Sequence, residues 1–593
     1  MGFDVSSDAA VSAALQGERA RRADRAVPEY LVAEPGAAPV LQLPAGAHWR
    51  LECEDGEEFQ GFARESLSLP ALRLGIHRLW VAGSLCTLLV APPKLPWPAR
   101  GWGITLPLYG LRAPQEGGIG DYEDLRSALA GLAGVGAGFV GINPIHAGFP
   151  TDPAIISPYM PSHRRRLSTA HIHVPSLPAA RRGALIDYPA ELAAKAAALE
   201  SEYQTAGEDD AFSAFLTREG PALERFATYA ALAEVHGAVW EDWPKPFRDP
   251  ASAAVARFAR VHSPRIRYHA WLQYRAEAEL AAVVFAAKAA GMAHGLYLDL
   301  AVGTHPFGAE TWAEPEIFAP GVSLGAPPDA FSEGGQTWVL APMNPRTLIA
   351  NAFTPLALTL RKQLQFAGAL RIDHILGFDR AFWVPLDGSC AGAYVRMPKE
   401  AMLAVVRIEA ARAGAVIVGE DLGNIPDGLQ ADLEASGVLG CRVAMFETAR
   451  PDGLPAERYT AQALASFGTH DLPTWAGWRT GADIDLRRTL GAIGDKAARQ
   501  AHEERRQNVA AMDRAIGDSA GDVDALHRFM GQAAACLVAL QIEDILGIAE
   551  QPNLPGTVDE YPNWRRRLPC EAAGLGAHPA VRKAAAIMHA CDR

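Results

Sequence analysis

Three acidic residues in the second half of the chain stand where nucleophilic or acid–base chemistry can be expected. Asp373 closes the run LRID, Glu420 closes VIVGE, and Asp471 closes GTHD. Each follows a short apolar run of strand length. Parallel strands in a closed barrel present their carboxyl ends at one face, where active sites form. The sequence therefore predicts that the three carboxyl groups share one site.

The surroundings of two of these acids differ in a way that suits a pair of catalytic carboxyl groups. Arg371 and Asp373 are two positions apart on a predicted strand, so their side chains point to the same side. A guanidinium favours the ionised carboxylate and hence a nucleophile. Glu420, if its surroundings are drier, has a raised pKa and keeps a proton. Retaining glycoside chemistry uses such a pair, with the carboxyl groups about 5 to 5.5 Å apart.

Two histidines adjoin the acids and support a sugar-binding role. His374 follows Asp373 and His470 precedes Asp471, and we expect these side chains to bind sugar hydroxyls as the ring flattens in the transition state. A structural interpretation is open for each acid alone, since a carboxylate after a strand often caps the next helix and an R-x-D pair is often a structural ion pair. Their joint occurrence favours a catalytic site.

Beyond residue 101, strand-length apolar runs alternate with periodic helical segments. The predicted strands are 102–108, 138–143, 295–302, 369–373, 415–420, 442–447 and 465–471, and the predicted helices include 121–132, 274–290, 348–366 and 399–413. This alternation indicates a parallel sheet covered by helices. An open doubly wound sheet would alternate similarly, but no glycine-rich phosphate loop follows a strand. The predicted fold class is α/β, a (β/α)₈ TIM barrel.

The chain divides into two predicted domains. Residues 1–100 contain a polar helix and short β-like runs, which indicate a helix and β-rich accessory domain. The stretch 91–98 has four prolines in eight residues and marks a boundary. Residues 101–593 are predicted to form the catalytic barrel, with insertions at about 151–268 and 306–345. Long insertions on the active face usually build a substrate cleft.

Composition limits the kinds of partner. Of 593 residues, 55 are basic and 68 are acidic, which gives a net charge of -13. This charge argues against electrostatic binding of nucleic acid or anionic lipid. The seven cysteines lack C-x-x-C spacing, so neither a disulfide framework nor a zinc knuckle is expected. No secretory signal and no apolar run of roughly 18 residues is found. We expect a cytoplasmic protein without a membrane span.

The motifs around the three acids resemble those of the amylomaltases, which are 4-alpha-glucanotransferases related to the α-amylase clan. LRIDHILGF with FWVP resembles their nucleophile motif, GEDLGNIP their acid/base segment, and GTHD the segment of their third carboxylate. Further ordered matches, from near residue 75 to near residue 568, are LYGLR, GIGD, NPIHA, SPY, DLAVG, GAPPD, GQTW, NLPGT and NWR. The longer bacterial form with an amino-terminal β module fits best.

The resemblance implies a role for each matching residue. It assigns Asp373 as nucleophile, Glu420 as general acid/base and Asp471 as transition-state stabiliser. It places Arg371, His374, His470, Asp299, Ser157 and Tyr159 around the reacting ring. It places Phe331, Gln336 and Trp338 in the loop over the acceptor side. Val339 and Ala330 depart from the family pattern, which usually has glycine and often an aromatic residue there. These departures concern the shape of the loop and the preferred acceptor.

The expected activity is retaining transfer of α-1,4-glucan segments between malto-oligosaccharides, with no metal or organic cofactor. An amylase-like hydrolase with the same carboxylates is the alternative, in which water replaces the sugar acceptor. A catalytically inactive glucan-binding protein is a third possibility, against which the intact set of acids argues. Products formed from pure maltotriose separate these functions.

Three other patterns allow a functional and a structural interpretation. His171 and His173 have the spacing of two metal ligands on a strand, but no third ligand is evident, which favours structural histidines. The arginines at 164–166 suit either an anionic ligand or, more simply, a solvated basic run. Trp49 and Trp80 suit either glucan binding or core packing, the usual role of tryptophan.

Overall fold

A computed structural model describes residues 7–593 except 44, 114–117, 176, 178–182, 208, 329–333, 450–454 and 518–520. The strands are β1 Tyr30–Ala33, β2 Val40–Gln42, β3 His48–Glu52, β4 Glu58–Phe62, β5 Ser66–Ser68, β6 Gly75–Val81, β7 Ser84–Val90, β8 Gly101–Leu106, β9 Phe139–Ile142, β10 His146–Ala147, β11 His163–Leu167, β12 Gly295–Leu300, β13 Val322–Ala326, β14 Gln336–Thr337, β15 Ala369–Ile372, β16 Arg380–Pro385, β17 Ala393–Arg396, β18 Val416–Gly419, β19 Leu439–Val443, β20 Ala463–Ser466 and β21 Leu537–Gln541.

The α-helices are α1 Asp8–Ala23, α2 Tyr122–Ala133, α3 Tyr188–Ala206, α4 Asp210–His236, α5 Ala253–Val261, α6 Ser263–Ala289, α7 Ala309–Ala313, α8 Pro345–Ala350, α9 Thr354–Leu364, α10 Lys399–Ala413, α11 Leu429–Ser436, α12 Ala444–Glu447, α13 Trp475–Thr480, α14 Ala482–Thr489, α15 Asp495–Ile516, α16 Val523–Gly531, α17 Ile542–Leu546 and α18 Pro579–Ala590. Short 3₁₀ helices cover Leu108–Gly110, Thr169–His171, Trp240–Asp242, Lys245–Phe247, Pro315–Ile317, Ile375–Phe378, Ala456–Arg458 and Ala572–Ala577. Among the residues described, no helix is long and apolar enough to cross a membrane.

Eight of the described strands close into a parallel barrel in the order β8, β9, β12, β15, β18, β19, β20, β21 and back to β8. The predicted (β/α)₈ class is therefore confirmed. The pairing of β15 with β18 matches Ile372 to Gly419. The next residue on each strand is Asp373 or Glu420, so the barrel register alone brings these two acids side by side at the active face.

Two aromatic side chains in the barrel interior occupy space left by glycines on neighbouring strands. Phe139 and Tyr297 meet edge to face with ring centroids 5.6 Å apart. A side chain at Gly103 would collide with the Phe139 ring, and one at Gly141 would lie 2.8 Å from Tyr297. This complementarity of small and large residues fixes how the strands meet inside the barrel.

Predicted strands 442–447 and 465–471 and predicted helix 348–366 differ from the structure, and one strand was missed. The predicted strand 465–471 extends too far, because β20 ends at Ser466 and Asp471 lies in the loop that follows. The predicted strand 442–447 is out of place, because β19 ends at Val443 and 444–447 begin a helix. The apolar run that becomes β21 was not assigned to a strand, since a short, fully buried run cannot be told from a helix by periodicity. The predicted helix 348–366 is two helices, because Ala352 and Phe353 adopt left-handed backbone angles, with φ of 52° and 59°.

The amino-terminal region is β-rich, as expected. A five-stranded sheet, β1-β7-β6-β3-β4, and the pair β2-β5 enclose a separate apolar core. Trp49 packs against this core, as its structural interpretation predicted, while Trp80 is 36% exposed. Glu54 pairs with Arg361 of α9 at 3.1 Å and with Arg412 of α10, so ion pairs join this region to the barrel.

The two long segments predicted as insertions carry structure of their own. Helices α3, α4 and α5 lie between β11 and α6, and strands β14, β13, β16 and β17 form an antiparallel sheet beside the barrel.

Both interpretations of the arginines at 164–166 are wrong, because these side chains are buried in ion pairs. Arg164 contacts Glu310 at 3.0 Å, Arg165 pairs with Glu314, and Arg166 pairs with Glu219. The partners come from α7, the residue after it, and α4, so only the tertiary fold reveals them.

We predict that Glu310→Gln destabilises the protein. The Arg164 and Glu310 side chains are 6% and 2% exposed, and the substitution leaves a buried guanidinium without its counter-charge. The expected loss is about 3 kcal/mol, measured as a lower thermal midpoint in calorimetry. Glu503→Gln removes the ion pair with Arg506 on the exposed surface of α15 and should leave the midpoint unchanged. Equal shifts in the two variants would contradict this prediction.

Candidate active site

The backbone continues its barrel hydrogen bonds for one residue beyond β15 and β18. The N–H of Asp373 donates to the carbonyl of Leu300 at 3.1 Å, and the N–H of Glu420 donates to that of Ile372 at 3.0 Å. Both acids are thus held by the sheet itself rather than by a loop. Rigid strand ends give their carboxyl groups a fixed position over the barrel mouth.

Arg371 joins two carboxylates at the centre of this face. Its Nη1 contacts both carboxylate oxygens of Asp299, at 2.8 and 2.9 Å, and its Nη2 lies 2.9 Å from Oδ1 of Asp373. Burial raises the pKa of Asp373 above its ordinary value, and the Arg371 charge opposes that rise. The guanidinium is the nearest positive charge to Asp373 and favours its ionised form.

Glu420 occupies the drier position. It is 9% exposed, its Oε2 accepts the N–H of His374 at 2.9 Å, and its Oε1 accepts the N–H of Leu422 at 2.9 Å. Burial raises the pKa of Glu420 to about 7, an effect to which the Asp373 charge adds and which Arg371 opposes. His374 has a left-handed backbone, with φ of 46°, at the turn that aims its N–H at Glu420. The structure thus places two carboxyl groups of unlike environment on adjacent strands.

A chain of hydrogen bonds fixes the protonation of His470. The Tyr159 hydroxyl donates its single proton to Oδ2 of Asp299 at 2.6 Å. The Tyr159 oxygen, 3.1 Å from Nδ1 of His470, therefore accepts a hydrogen bond from that nitrogen. Nε2 of His470 lies 3.2 Å from Oδ2 of Asp471, an acceptor when ionised. With Asp471 ionised, both ring nitrogens act as donors, so these contacts favour the imidazolium form of His470.

Asp471 lies in the loop after β20, where its half-exposed side chain faces the cleft. Burial opposes ionisation, but the His470 charge and the hydrogen bonds to it lower the pKa of Asp471 below its ordinary value. The side-chain amide of Asn553 also donates to Oδ1 of Asp471 at 2.6 Å. Tyr159 stacks on His470 at 4.5 Å, and Trp564 packs against the His470 ring at 5.6 Å. The third carboxylate is therefore ionised and oriented.

The remaining predicted site residues lie at the edges of this cluster. Ser157 accepts the N–H of Tyr159 at 3.3 Å and shapes the turn that carries the tyrosine. Gln336 is exposed and accepts the indole N–H of Trp338 at 2.9 Å, and the Trp338 ring meets His374 edge to face at 5.0 Å. Phe331 lies outside the described residues.

A cavity of about 120 Å³ lies at this end of the barrel, and of the three predicted catalytic acids Glu420 lines it. The predicted site residues in its wall are Asp299, Arg371, Glu420, His470 and Tyr159. The wall also contains residues that the sequence did not single out as site residues: Trp564, Tyr109, Asn143 and Glu543. Glu543 follows β21, so the rule that polar residues after strands form the site would have found it if β21 had been recognised. Asn553 and Trp564 come from a distant loop and carry no such signal.

His171 and His173 are structural, as the simpler interpretation predicted. Nδ1 of His171 lies 2.7 Å from the carbonyl of Gly120, and Nδ1 of His173 lies 2.7 Å from Oδ2 of Asp121, which caps α2. Within the described ranges, no group of three or more His, Cys, Asp or Glu could hold a metal ion.

Comparison with known proteins agrees with this geometry. A family model described as 4-alpha-glucanotransferase matches residues 106–572, and one described as MalQ N-terminal beta sandwich domain matches residues 26–92. A 4-alpha-glucanotransferase of Mycobacterium tuberculosis is 38% identical over 84% of this chain and 77% of its own length. A 4-alpha-glucanotransferase of Haemophilus influenzae is 29% identical over 91% of this chain and 88% of its own length.

A solved structure has the same architecture. The amylomaltase of Corynebacterium glutamicum superposes with a TM-score of 0.85 and 28% identity, over 99% of this chain and 94% of that one. The resemblance found in the sequence is therefore confirmed. The chain belongs to the 4-alpha-glucanotransferase family, the amylomaltases, and is an enzyme that transfers glucan segments.

Proposed function

We propose that this enzyme transfers α-1,4-glucan segments between malto-oligosaccharides by a retaining double displacement. In this mechanism Asp373 is the nucleophile, Glu420 is the general acid and base, and Asp471 stabilises the transition state. The observation that carries the proposal is the pair of carboxyl groups, Asp373 and Glu420, that directly follow β15 and β18. One carboxyl group contacts a guanidinium, while the other is dry and retains a proton near neutral pH.

In the first step, the protonated Glu420 gives its proton to the glycosidic oxygen of the donor. Asp373 bonds to the anomeric carbon as the bond from that carbon to the oxygen breaks, and the released glucan leaves with a new 4-hydroxyl group. In the second step, Glu420, now a carboxylate, takes the proton from the 4-hydroxyl of an acceptor glucan. That oxygen bonds to the anomeric carbon and Asp373 is freed, with the original configuration restored.

The fixed charges of the site suit the positive charge that develops on the sugar ring. Asp471 and Asp299 are held in place by His470 and Arg371, so they need no rearrangement as the reaction proceeds. Preorganised charges of this kind stabilise a transition state more than mobile ones do. The ionised oxygens of Asp471 also accept hydrogen bonds from sugar hydroxyls.

The acceptor distinguishes transfer from hydrolysis with the same carboxyl groups. Trp338 stands beside His374 at the rim of the cleft, half-buried, and presents an aromatic surface on which a glucose ring stacks. A sugar bound there excludes water from the intermediate on Asp373. We assign Trp338, Gln336 and Phe331 to the acceptor side, and Ser157 and Tyr159 to the donor ring.

The two domains have separate roles in this proposal. Residues 101–593 form the catalytic barrel, with insertions at about 151–268 and 306–345 that build the cleft, and residues 1–100 form an accessory domain attached through Glu54. All seven cysteines are free thiols, which supports a reducing compartment and hence the cytoplasm.

With pure maltotriose as both donor and acceptor, we predict glucose together with oligomers longer than maltotriose. Transfer of a maltosyl unit to a second maltotriose releases glucose and gives maltopentaose, whereas transfer of a glucosyl unit releases maltose and gives maltotetraose. Chromatography of the products by length is the measurement. Glucose and maltose alone, without longer products, would favour the amylase-like alternative.

We predict that Asp373→Asn lowers the transfer rate by at least about a thousandfold, because a nucleophile acts as part of a unit. Turnover of maltotriose by the purified variant is the measurement, with the thermal midpoint recorded to show that the fold is intact. Asp387→Asn makes the same change at an exposed position after β16 and should leave turnover unchanged. Near-normal turnover of Asp373→Asn would refute the assigned role.

The pH dependence should show the protonation of the two carboxyl groups. Glu420 must be protonated, and its pKa is about 7, so kcat/KM for maltotriose should fall as pH rises through that value. Asp373 must be ionised, and burial raises its pKa, so the acid limb should lie above the ordinary range of an aspartate. Rates that stay level well above pH 7 would show that Glu420 is not the proton donor.

A further inference from the structure

Trp564 is a buried aromatic residue of the catalytic cavity that the steps above do not use. It belongs to the segment between α17 and α18, which follows the last barrel strand, and it is 5% exposed. It lines the same cavity as Tyr159 and His470. A segment outside the barrel thus contributes an indole ring to the catalytic cavity.

The backbone of Trp564 is strained. Its φ is 59°, in the left-handed region that a bulky residue rarely adopts. Hydrogen bonds on both sides hold this conformation, since its N–H donates to the carbonyl of Pro552 at 3.1 Å and its carbonyl accepts the hydroxyl of Tyr188 at 2.8 Å. Strained residues persist only where the surrounding structure fixes them, and they cluster at functional sites. The strain therefore marks Trp564 as more than a packing residue.

The residue before Trp564 reinforces this turn. Oδ1 of Asn563 accepts the N–H of Leu554 at 2.8 Å, and its side-chain amide donates to the Thr557 hydroxyl at 2.9 Å. The loop that ends at Trp564 is thus closed by its own hydrogen bonds. It holds the indole at a fixed place beside the cavity.

The indole contacts both members of an aromatic pair that orients two acids. Tyr159 and His470 are stacked with ring centroids 4.5 Å apart, and the Trp564 ring lies 5.5 Å from the first and 5.6 Å from the second. Tyr159 donates to Asp299 at 2.6 Å, and His470 lies 3.2 Å from Asp471. The three rings come from three distant segments of the chain. One indole therefore joins the two rings through which both acids are oriented.

Two simpler roles fit the structure less well. A surface on which a glucose ring stacks needs an open face, but Trp564 is 5% exposed and also meets Tyr109 edge to face at 6.2 Å. Core packing alone does not require a left-handed backbone. Trp243, in the helical insertion, is fully buried with a φ of -70°.

We propose that Trp564 is a positioning residue: its indole holds the stacked rings of Tyr159 and His470 in place, and through His470 it keeps Asp471 in its catalytic orientation. The role rests on the proposed function, in which Asp471 stabilises the transition state. Because the indole contacts the enzyme and not the sugar, its loss slows the chemical step and leaves glucan binding largely intact.

The first test is the steady-state kinetics of maltotriose transfer by the full-length protein. We expect Trp564→Leu to lower kcat about tenfold or more while KM stays within about twofold, because a displaced catalytic group costs rate. Trp564→Phe keeps an aromatic ring against the pair and should retain most of the wild-type kcat. If Trp564→Leu does not fold, Trp564→Met removes the ring with a smaller loss of volume and should lower kcat in the same way.

Trp243 offers a matched control. Its ring packs against Tyr229 at 4.9 Å and Trp312 at 5.9 Å, and none of these three residues lines the catalytic cavity. Trp243→Leu should lower the thermal midpoint, as Trp564→Leu does, but leave kcat unchanged at a temperature well below that midpoint. An equal fall of kcat in the two variants would assign the lost rate to destabilisation and overturn the inference.

A double-mutant cycle shows whether the indole acts through His470. In the His470→Asn background the ring that Trp564 holds is already absent, so Trp564→Leu should lower kcat further by less than about threefold. The same loss in both backgrounds would overturn the inference. A raised KM with unchanged kcat would make Trp564 a sugar contact, and unchanged values of both would make it a packing residue. Failure of the proposed function appears separately, as wild-type enzyme that forms no oligomers longer than maltotriose.

Discussion

The contact of Arg371 with two carboxylates is the interaction on which the rest of the site depends. One guanidinium holds Asp299 with two hydrogen bonds and forms an ion pair with Asp373 at 2.9 Å. Without it, a buried cluster of acids this close would bind protons and lose its negative charge. Asp299 in turn accepts the hydrogen bond of the Tyr159 hydroxyl, and this orients His470 and then Asp471.

The barrel provides the geometry that such a chain of contacts requires. Arg371 pairs with Asp299 across β12 and β15, and the same register sets Asp373 beside Glu420. A shift by one residue would turn Arg371 to the other side of its strand and break every contact described. The fit of Phe139 against Gly103 opposes such a shift. Interior packing therefore maintains the register on which the chemistry depends.

The sequence predicted the parts of the site that are local. Asp373 and Glu420 follow short apolar strands, and that pattern can be read within a few residues. The environment of Arg164 could not be predicted, because Glu310 is distant in sequence and no local pattern distinguishes a buried arginine from a solvated one. Glu543 was missed for a different reason: β21 is buried on both faces, so its sequence lacks the alternation that marks a strand.

An uncharged substrate affects how the protonation states of such a site are set. A glucan brings no charge that could set the protonation of the enzyme, so the protein must fix each proton by its own contacts. At this face Arg371 contacts Asp299 and Asp373, and His470 contacts Asp471, while burial raises the pKa of Glu420 to about 7. Glu420 has to exchange its proton in every cycle, and this requires a pKa near the working pH.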